Sequence, residues 1–140
     1  MTSASVNAQS GSTLRIDPAT TSIGVNETFD FSIILDIEPG RNYANGSFTI
    51  EYDDSILEIN SFDVGSGLFG AANIATSGLI RFNALSISGE TGQIVLGSGQ
   101  FTAIVEGDSI LTIGVVDAPG DSSGLALPDL QIVDLSLIHI

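Results

Sequence analysis

The chain contains no cysteine, no lysine and no tryptophan among its 140 residues. Without cysteine it forms no disulfide, and thiolate catalysis and cysteine-type metal sites are excluded. Its basic side chains are three arginines, set against 17 Asp and Glu residues, and the formal net charge is −14. A surface of that sign repels phosphate backbones and anionic lipid, which argues against nucleic-acid and membrane-surface binding.

The chain is long enough for one domain with a core, and no apolar run approaches the roughly 18 residues that a membrane span needs. Residues 1–11 are small and polar, which predicts a flexible N-terminal tail. The letters VNA before Gln9 also fit the end of a signal peptide, although a basic start and an apolar segment are missing. Both interpretations stay open, and the acidity suits an extracellular or salty setting.

Apolar and polar residues alternate along most of the chain, which is the pattern of half-buried β-strands. The clearest case is TFDFSIILDI, where Phe29 and Phe31 fall on one face and Asp30 on the other. Strands are predicted at residues 13–16, 21–25, 28–37, 47–52, 57–62, 79–84, 100–105, 109–116 and 130–135. Turn-forming stretches separate them, among them GSG at 65 and at 97, and EGD at 106, which has the shape of a hairpin connection.

No segment shows a capped pattern of period 3.6, so the sequence predicts an all-β fold. Many short strands with closely spaced turns indicate a sandwich or a barrel. The one-sided alternation favours two antiparallel sheets packed face to face, each with a solvated outer side. The aromatic residues predicted to reach the core are Phe29, Phe31, Phe48, Phe82, Phe101 and Tyr52.

Three stretches follow one another in an order that is known from one protein family. LRIDPATTSIGVNETFDFSIILDI has a first strand, a proline turn and a long alternating strand. GSFTIEYDDSILEINSFDVGSG has an inward-alternating strand that ends in Tyr-Asp and resumes with Leu-Glu. GLIRFNAL and GSGQFTAIVEGDSILTIGVV come later. This order resembles that of a cohesin module, and the resemblance covers roughly residues 12–135.

The resemblance implies a jelly-roll β-sandwich of about nine strands over residues 12–134. It further implies a non-catalytic, extracellular or cell-surface module, since cohesins bind the calcium-loaded dockerin modules of other proteins. Two departures bear on this prediction. Asp54 stands where the family commonly has proline, which changes stiffness more than topology. LSLIHI stands where a clear last strand should follow LPDLQIVDL, so we expect that last strand to be truncated.

The final six residues, LSLIHI at 135–140, are an apolar end on an acidic chain and contain the only histidine. The same six residues result from translating the end of a common transposase-based sequencing adapter. We therefore expect residues 135–140 to be a wholly or partly non-native, adapter-derived tail, with the natural chain continuing further. On this hypothesis His139 carries no functional weight.

Two adjacent carboxylates, Asp53 and Asp54, raise the question of a calcium site, because calcium prefers oxygen ligands. Glu51 is near in sequence but points to the opposite side of its strand from Tyr52, so three carboxylates do not converge. The alternation on both sides of the pair predicts a corner between two strands instead. In that corner Asp53 accepts backbone N–H bonds from Ser55 or Ile56, as in an Asx-turn.

Asp117 and Asp121, in DAPGDSSG, are the remaining weak calcium candidates. They lack the D-x-D-x-D-G spacing of an EF-hand and any downstream bidentate Glu. We therefore expect a loop without a cofactor here, and calcium is the alternative.

Catalytic pairs are not evident, since every acidic residue falls on an outer strand face or in a turn. A Ser-His-Asp arrangement would need His139 and lacks a nucleophile-elbow motif. No glycine-rich stretch follows a strand and opens a helix, so phosphate binding is unsupported. The sequence thus predicts no enzymatic activity.

Glycan binding is an alternative to protein binding. Sugar-binding faces usually present exposed planar aromatics, and Tyr43 is the one aromatic residue expected on an exposed loop. A single tyrosine is no platform for a polysaccharide, which leaves a shallow glycan contact near Arg41, Asn42 and Tyr43. A structural role in an adhesin or surface layer is the third hypothesis.

For a protein partner, the candidates lie on the outer faces of the strands at 47–52 and 79–84 and on the loop at 39–45. The predicted partner-binding residues are Arg41, Asn42, Tyr43, Thr49, Glu51, Arg81 and Asn83. Arg41 and Arg81 stand out as rare cations on an anionic surface. The alternative is that both simply pair with neighbouring acids.

Overall fold

The computed structural model describes residues 12–120, 130–132 and 136–140, with side chains for all of these except residues 87, 88 and 117–119. The described residues form eleven β-strands and no helix, which confirms the predicted all-β fold. The strands β1 to β11 are Thr13–Asp17, Thr20–Ser22, Thr28–Asp36, Tyr43–Glu51, Leu57–Val64, Ala72–Asn73, Leu79–Glu90, Gln93–Ala103, Asp108–Gly120, Gln131–Ile132 and Ser136–His139.

The strands form two sheets packed face to face. One sheet has the order β10-β1-β3-β8-β5 and the other the order β2-β11-β9-β4-β7-β6. Successive strands lie in different sheets, with the β6–β7 pair as the exception, so the chain passes repeatedly across the core. This is the two-sheet sandwich that the alternation predicted, and it is the jelly roll that the resemblance implied. Neighbouring strands are antiparallel except for the β1–β10 and β2–β11 pairs, which are parallel.

The core lies between the sheets and is built around the predicted inward-facing aromatics. Phe101 stacks on Phe31 at 4.9 Å between ring centroids, and Tyr52 meets Phe101 edge-on at 4.9 Å. Phe62 of β5 contacts Phe82 of β7 at 4.8 Å, which joins the two sheets. Offset and edge-on aromatic pairs at these distances add stabilisation beyond the burial of their area.

The corner predicted at Asp53 is confirmed. It joins β4 to β5, which belong to different sheets. The Asp53 carboxylate accepts the Ser55 backbone N–H at 3.0 Å, and the Asp53 carbonyl accepts the N–H groups of Ile56 and Leu57. These bonds reverse the chain within a few residues, so the corner needs no metal ion.

Two turn predictions were wrong. The glycines of the second GSG lie inside β8 and not in a turn. Glycine is needed there because a side chain at Gly97 would overlap the Phe62 ring and one at Gly99 would overlap the Phe31 ring. The residues EGD do not close a hairpin, since β8 and β9 lie in different sheets. In both places the local turn chemistry was outweighed by the packing of distant segments.

The last strand is present, and it lies in the segment predicted to be a non-native tail. β11 pairs antiparallel with β9 and parallel with β2. Ile138 is fully buried, and the Ser136 hydroxyl donates to the Pro18 carbonyl at 2.7 Å. A four-residue strand therefore completes the six-stranded sheet, while the adapter origin of residues 135–140 stays a prediction.

Candidate functional site

The solvent side of β9, β4, β7 and β6, called here the central outer face, carries most of the predicted partner-binding residues. Thr49 and Glu51 of β4 lie beside Arg81 and Asn83 of β7, because Thr49 is the register partner of Arg81. The intervening residues of both strands point into the core, as the alternation predicted. Arg81, Asn83 and Glu51 are exposed, and Thr49 is half-buried.

The three arginines differ in their partners. Arg15 contacts Asp36 at 3.2 Å and Asp17 at 3.9 Å, and Arg41 contacts Glu38 at 3.4 Å. Among the described side chains, no carboxylate lies within ion-pair distance of Arg81. The alternative of simple pairing therefore holds for Arg41, whereas Arg81 has no such partner among the described side chains.

A shallow depression of about 290 Å³ opens on the central outer face around Arg81. Its polar and apolar lining includes Arg81 and Asn83 of β7, Asn73 of β6, Ser47 of β4 and Val116 of β9. Four strands thus contribute to one concave site. The sequence indicated the two residues of β7 but did not indicate Asn73 or Val116.

Exposed apolar side chains flank this depression. Val116 is 63% exposed, Phe69 57% and Leu85 44%. Phe69 and Leu85 face each other, since each backbone N–H donates to the other residue's carbonyl, at 2.8 and 2.6 Å. Leu85 lies opposite Asn45 of β4, so these side chains share the central outer face. Exposed apolar groups rimmed by polar ones are typical of interaction surfaces.

The sequence contained a weak signal for these residues. In β9, Ile110, Thr112 and Val116 fall on the outward side of the alternation, whereas Leu111 and Ile113 are buried, so an apolar residue at an outward position was the available signal. Phe69 lies in a glycine-rich stretch without periodicity, and its pairing with Leu85 depends on a segment that is distant in sequence. Neither feature identifies an exposed apolar patch before the strands are assembled.

The outer face of the five-stranded sheet has a different character, because its polar side chains bond to one another. The Asn60 amide donates to Gln100 at 3.0 Å and to Thr102 at 2.8 Å. Gln100 in turn donates to Asp30 at 3.2 Å, and the hydroxyls of Ser32 and Ser98 are 3.0 Å apart. Polar groups whose hydrogen bonds are already made within the sheet contribute little additional binding free energy when a partner docks.

The loop residues of the predicted site lie apart from the central outer face. Arg41 and Asn42 line a separate depression of about 350 Å³ together with Thr91 and Gly92. The Asn42 side chain lies against Gly89, where an added side chain would come within 3.2 Å. The predicted set thus divides between the sheet face and one end of the sandwich.

The prediction that Tyr43 is an exposed loop residue is wrong. Tyr43 begins β4, is fully buried, and donates a 2.6 Å hydrogen bond to the Ala84 carbonyl. Its ring enters the core because the strand extends further back than the alternation suggested. Burial raises the pKa of the Tyr43 phenol far above its ordinary value. The aromatic residue that would contact a glycan at this loop is therefore not accessible.

The calcium candidates do not form a site among the residues with described side chains, where no three acidic or histidine groups converge. The hydroxyl and N–H of Ser55 bind Asp53 and lower its pKa. Asp54 is exposed beside it and makes no contact with Glu51. The side chains of Asp117 and Asp121 lie outside the described part of the chain.

His139 and Asp108 form one polar pair on the six-stranded sheet. The imidazole Nδ1 is 2.8 Å from the Asp108 carboxylate, and the two residues are register partners in β11 and β9. Both side chains are exposed.

The described residues contain no helix that could span a membrane.

Comparison with protein-family descriptions and with curated proteins finds no match. Solved structures do match. The sixth cohesin of Acetivibrio cellulolyticus scaffoldin B, in complex with a mutant Cel5 dockerin, has a TM-score of 0.78 at 18% identity, over 94% of this chain and 99% of that one. The OlpA cohesin of a type I cohesin–dockerin complex from Clostridium thermocellum has a TM-score of 0.77 at 13% identity, over 93% and 99%.

A non-cellulosomal cohesin from the archaeon Archaeoglobus fulgidus matches with a TM-score of 0.72 at 14% identity, over 94% of this chain and 91% of that one. Fold and neighbours together define a two-sheet jelly-roll β-sandwich. More particularly, the chain has the cohesin fold, as the sequence pattern predicted.

Proposed function

We propose that this domain is a cohesin-like protein-docking module whose partner binds the central outer face. The observation that supports this most is the contrast between the two sheet faces. On the five-stranded sheet, polar side chains of β3, β5 and β8 bond to one another, and Val95 and Ile132 are its exposed large apolar residues among the described ones. The central outer face exposes Ile110, Phe69, Leu85 and Val116, and its cation Arg81 has no acidic partner among the described side chains.

The proposed partner class is supported by the structural neighbours. Two of the structural neighbours are cohesins in complexes with dockerins. A dockerin-like module is therefore the partner that we propose for this chain. The function is non-catalytic in this proposal, since binding needs only surface complementarity, and the setting is extracellular or at the cell surface.

Such a contact needs more of the face than the depression itself. A specific interface covers about 800 Å² on each partner, so it would extend over the strands around the depression. Most of the binding free energy comes from a few well-packed residues near its centre. Val116 lies beside the depression, with Phe69 and Leu85 at its flank, so they would form the apolar part of the contact.

The test is binding to a displayed panel of calcium-loaded dockerins that includes those of the two complexes above. We expect at least one member to bind with a Kd on the order of micromolar or tighter, and chelation of its calcium to abolish binding. Val116→Asp should weaken binding by about tenfold or more, because it replaces an apolar side chain of the contact with a charged one that must be desolvated.

The matched control is Val95→Asp, an exposed valine on the outer face of the five-stranded sheet. It should leave the affinity within about twofold, since surface substitutions away from a contact change free energies by less than about 0.5 kcal/mol. The proposal fails if no dockerin binds, or if Val95→Asp and Val116→Asp weaken binding equally.

A further inference from the structure

We propose that the depression around Arg81 is a carboxylate-binding pocket that receives an Asp or Glu side chain of the docked partner. This inference rests on the proposed docking function and adds the chemistry by which the partner is selected. It depends on three side chains of the pocket: Arg81, Asn73 and Asn83.

The two asparagines are oriented so that they offer donors. The Asn83 Oδ1 accepts the backbone N–H of Ala71 at 2.8 Å, and the Asn73 Oδ1 accepts the backbone N–H of Ala75 at 2.8 Å. A backbone N–H can only donate, so the oxygen of each amide must be the atom on that side. Each NH₂ group is therefore left on the other side, with no acceptor among the described residues.

The three donors lie close together. Asn73 is the register partner of Arg81 across the β6–β7 pair, and Asn83 is two residues along β7 on the same face. Directly paired side chains in a sheet start about 5 Å apart, and next neighbours on one strand about 7 Å apart. A planar guanidinium flanked by two amide NH₂ groups at such spacings matches the several acceptor sites of one carboxylate.

The rest of the chain argues for a carboxylate that a partner brings to the site. With a net charge of −14, the protein has acidic groups in abundance, and the other two arginines use them. The same net charge weakens the binding of a free anion at every point of the surface, so that a free carboxylate binds only at high concentration. A carboxylate attached to a docked protein overcomes this repulsion, because the apolar contacts of Val116 and its neighbours hold it in place.

The first arm of the test needs no partner. Side-chain NMR signals of Asn73, Asn83 and the Arg81 Nε–H are followed while sodium acetate is added, with sodium chloride at matched ionic strength as the reference. We expect acetate to shift these three groups selectively, Arg81→Gln to abolish the shifts of both asparagines, and Arg41→Gln to preserve them. Equal shifts with chloride, or none with acetate, would overturn the proposed pocket.

The second arm uses whichever dockerin binds in the panel described above. Arg81→Glu should weaken that dockerin by about tenfold or more, and Arg41→Glu by less than about twofold. Exchange of one contacting Asp or Glu of the dockerin for Lys should restore binding to Arg81→Glu. Circular dichroism and the Tm of each variant establish that the fold is retained.

The outcomes separate this inference from the proposed function. If Val116→Asp weakens docking and Arg81→Glu does not, the carboxylate pocket is refuted and the docking face stands. If acetate binds at Arg81 but no dockerin does, the protein source of the carboxylate is refuted. If wild type is then retained on a polygalacturonate column more strongly than Arg81→Gln, the carboxylate is assigned to a glycan.

Discussion

The Tyr43 hydroxyl donates a 2.6 Å hydrogen bond to the backbone carbonyl of Ala84, inside the sandwich. The ring lies beside Gly46, where an added side chain would come within 3.2 Å of the phenol oxygen. A glycine three residues along β4 thus makes room for a large polar aromatic side chain in the core. The hydrogen bond joins the start of β4 to the middle of β7, two of the strands that build the central outer face.

Tyr43→Phe should lower the free energy of unfolding by about 1–2 kcal/mol at neutral pH, because it removes a buried hydrogen bond and leaves the ring in place. Urea denaturation followed by circular dichroism measures this change. An unchanged urea midpoint would show that this hydrogen bond makes no net contribution to the free energy of unfolding.

The same residue makes stability depend on alkaline pH. Burial raises the pKa of folded Tyr43, so the unfolded chain loses the phenol proton first, near pH 10. The folded state keeps its proton, and the free energy of unfolding therefore falls as pH rises above about 10, by up to about 1.4 kcal/mol per pH unit. Tyr43→Phe should show a shallower decline over that range in urea denaturation at stepped pH.

Asp53 should contribute to stability in its ionised form. The Ser55 hydroxyl and N–H lower the pKa of the folded carboxyl, so this contribution is present above about pH 4 and is lost as pH falls through the folded pKa. Asp53→Asn keeps an acceptor oxygen but removes the charge. We expect wild type to be more stable than Asp53→Asn at pH 7, and the difference to shrink in acid.

Carbon NMR of the side-chain carboxyls checks the cause directly. The Asp53 resonance should titrate below the ordinary range for aspartate, and Ser55→Ala should move its midpoint upwards. If the midpoint of the Asp53 titration is the same in Ser55→Ala as in wild type, the Asx-turn is not the source of the lowered pKa.

Ile138→Ala should destabilise the domain by about 2–5 kcal/mol, because Ile138 is fully buried between the sheets. The matched control is Leu137→Ala, whose half-buried side chain points to the other side of β11, and it should cost clearly less. Thermal denaturation of both variants is the measurement. If both variants lose the same stability, the Ile138 side chain contributes little to the packing between the two sheets.

Gly65→Ala should destabilise the turn after β5 by about 1–3 kcal/mol, since the added methyl group would overlap the Val95 carbonyl. Gly24→Ala is the control, because its methyl group would meet only the Glu27 side chain, at 3.3 Å. A comparison of urea midpoints distinguishes the two. If Gly24→Ala costs as much, overlap with the Val95 carbonyl is not the cause, since the loss of unfolded-chain entropy in Gly→Ala would by itself stabilise the protein.

The predictions that succeeded concerned features repeated along one strand. The face on which Phe29, Phe48 or Arg81 lies follows from alternation, because successive side chains of a strand point to opposite sides. The predictions that failed concerned contacts between distant segments. Tyr43 reads as a loop residue in the sequence because its strand begins before the alternation becomes regular. Gly97 reads as a turn residue because the Phe62 ring that it accommodates belongs to another strand and is not visible from the local sequence.

The sequence by itself determined the all-β class, the two-sheet core, the corner at Asp53 and the anionic surface. Each of these follows from composition or from the two-residue period, which are local properties of the chain. Only the tertiary structure decided that Asn73, Arg81 and Val116 meet in one depression. They belong to three strands, and which strands become neighbours depends on backbone hydrogen bonds and core packing between segments far apart in the chain.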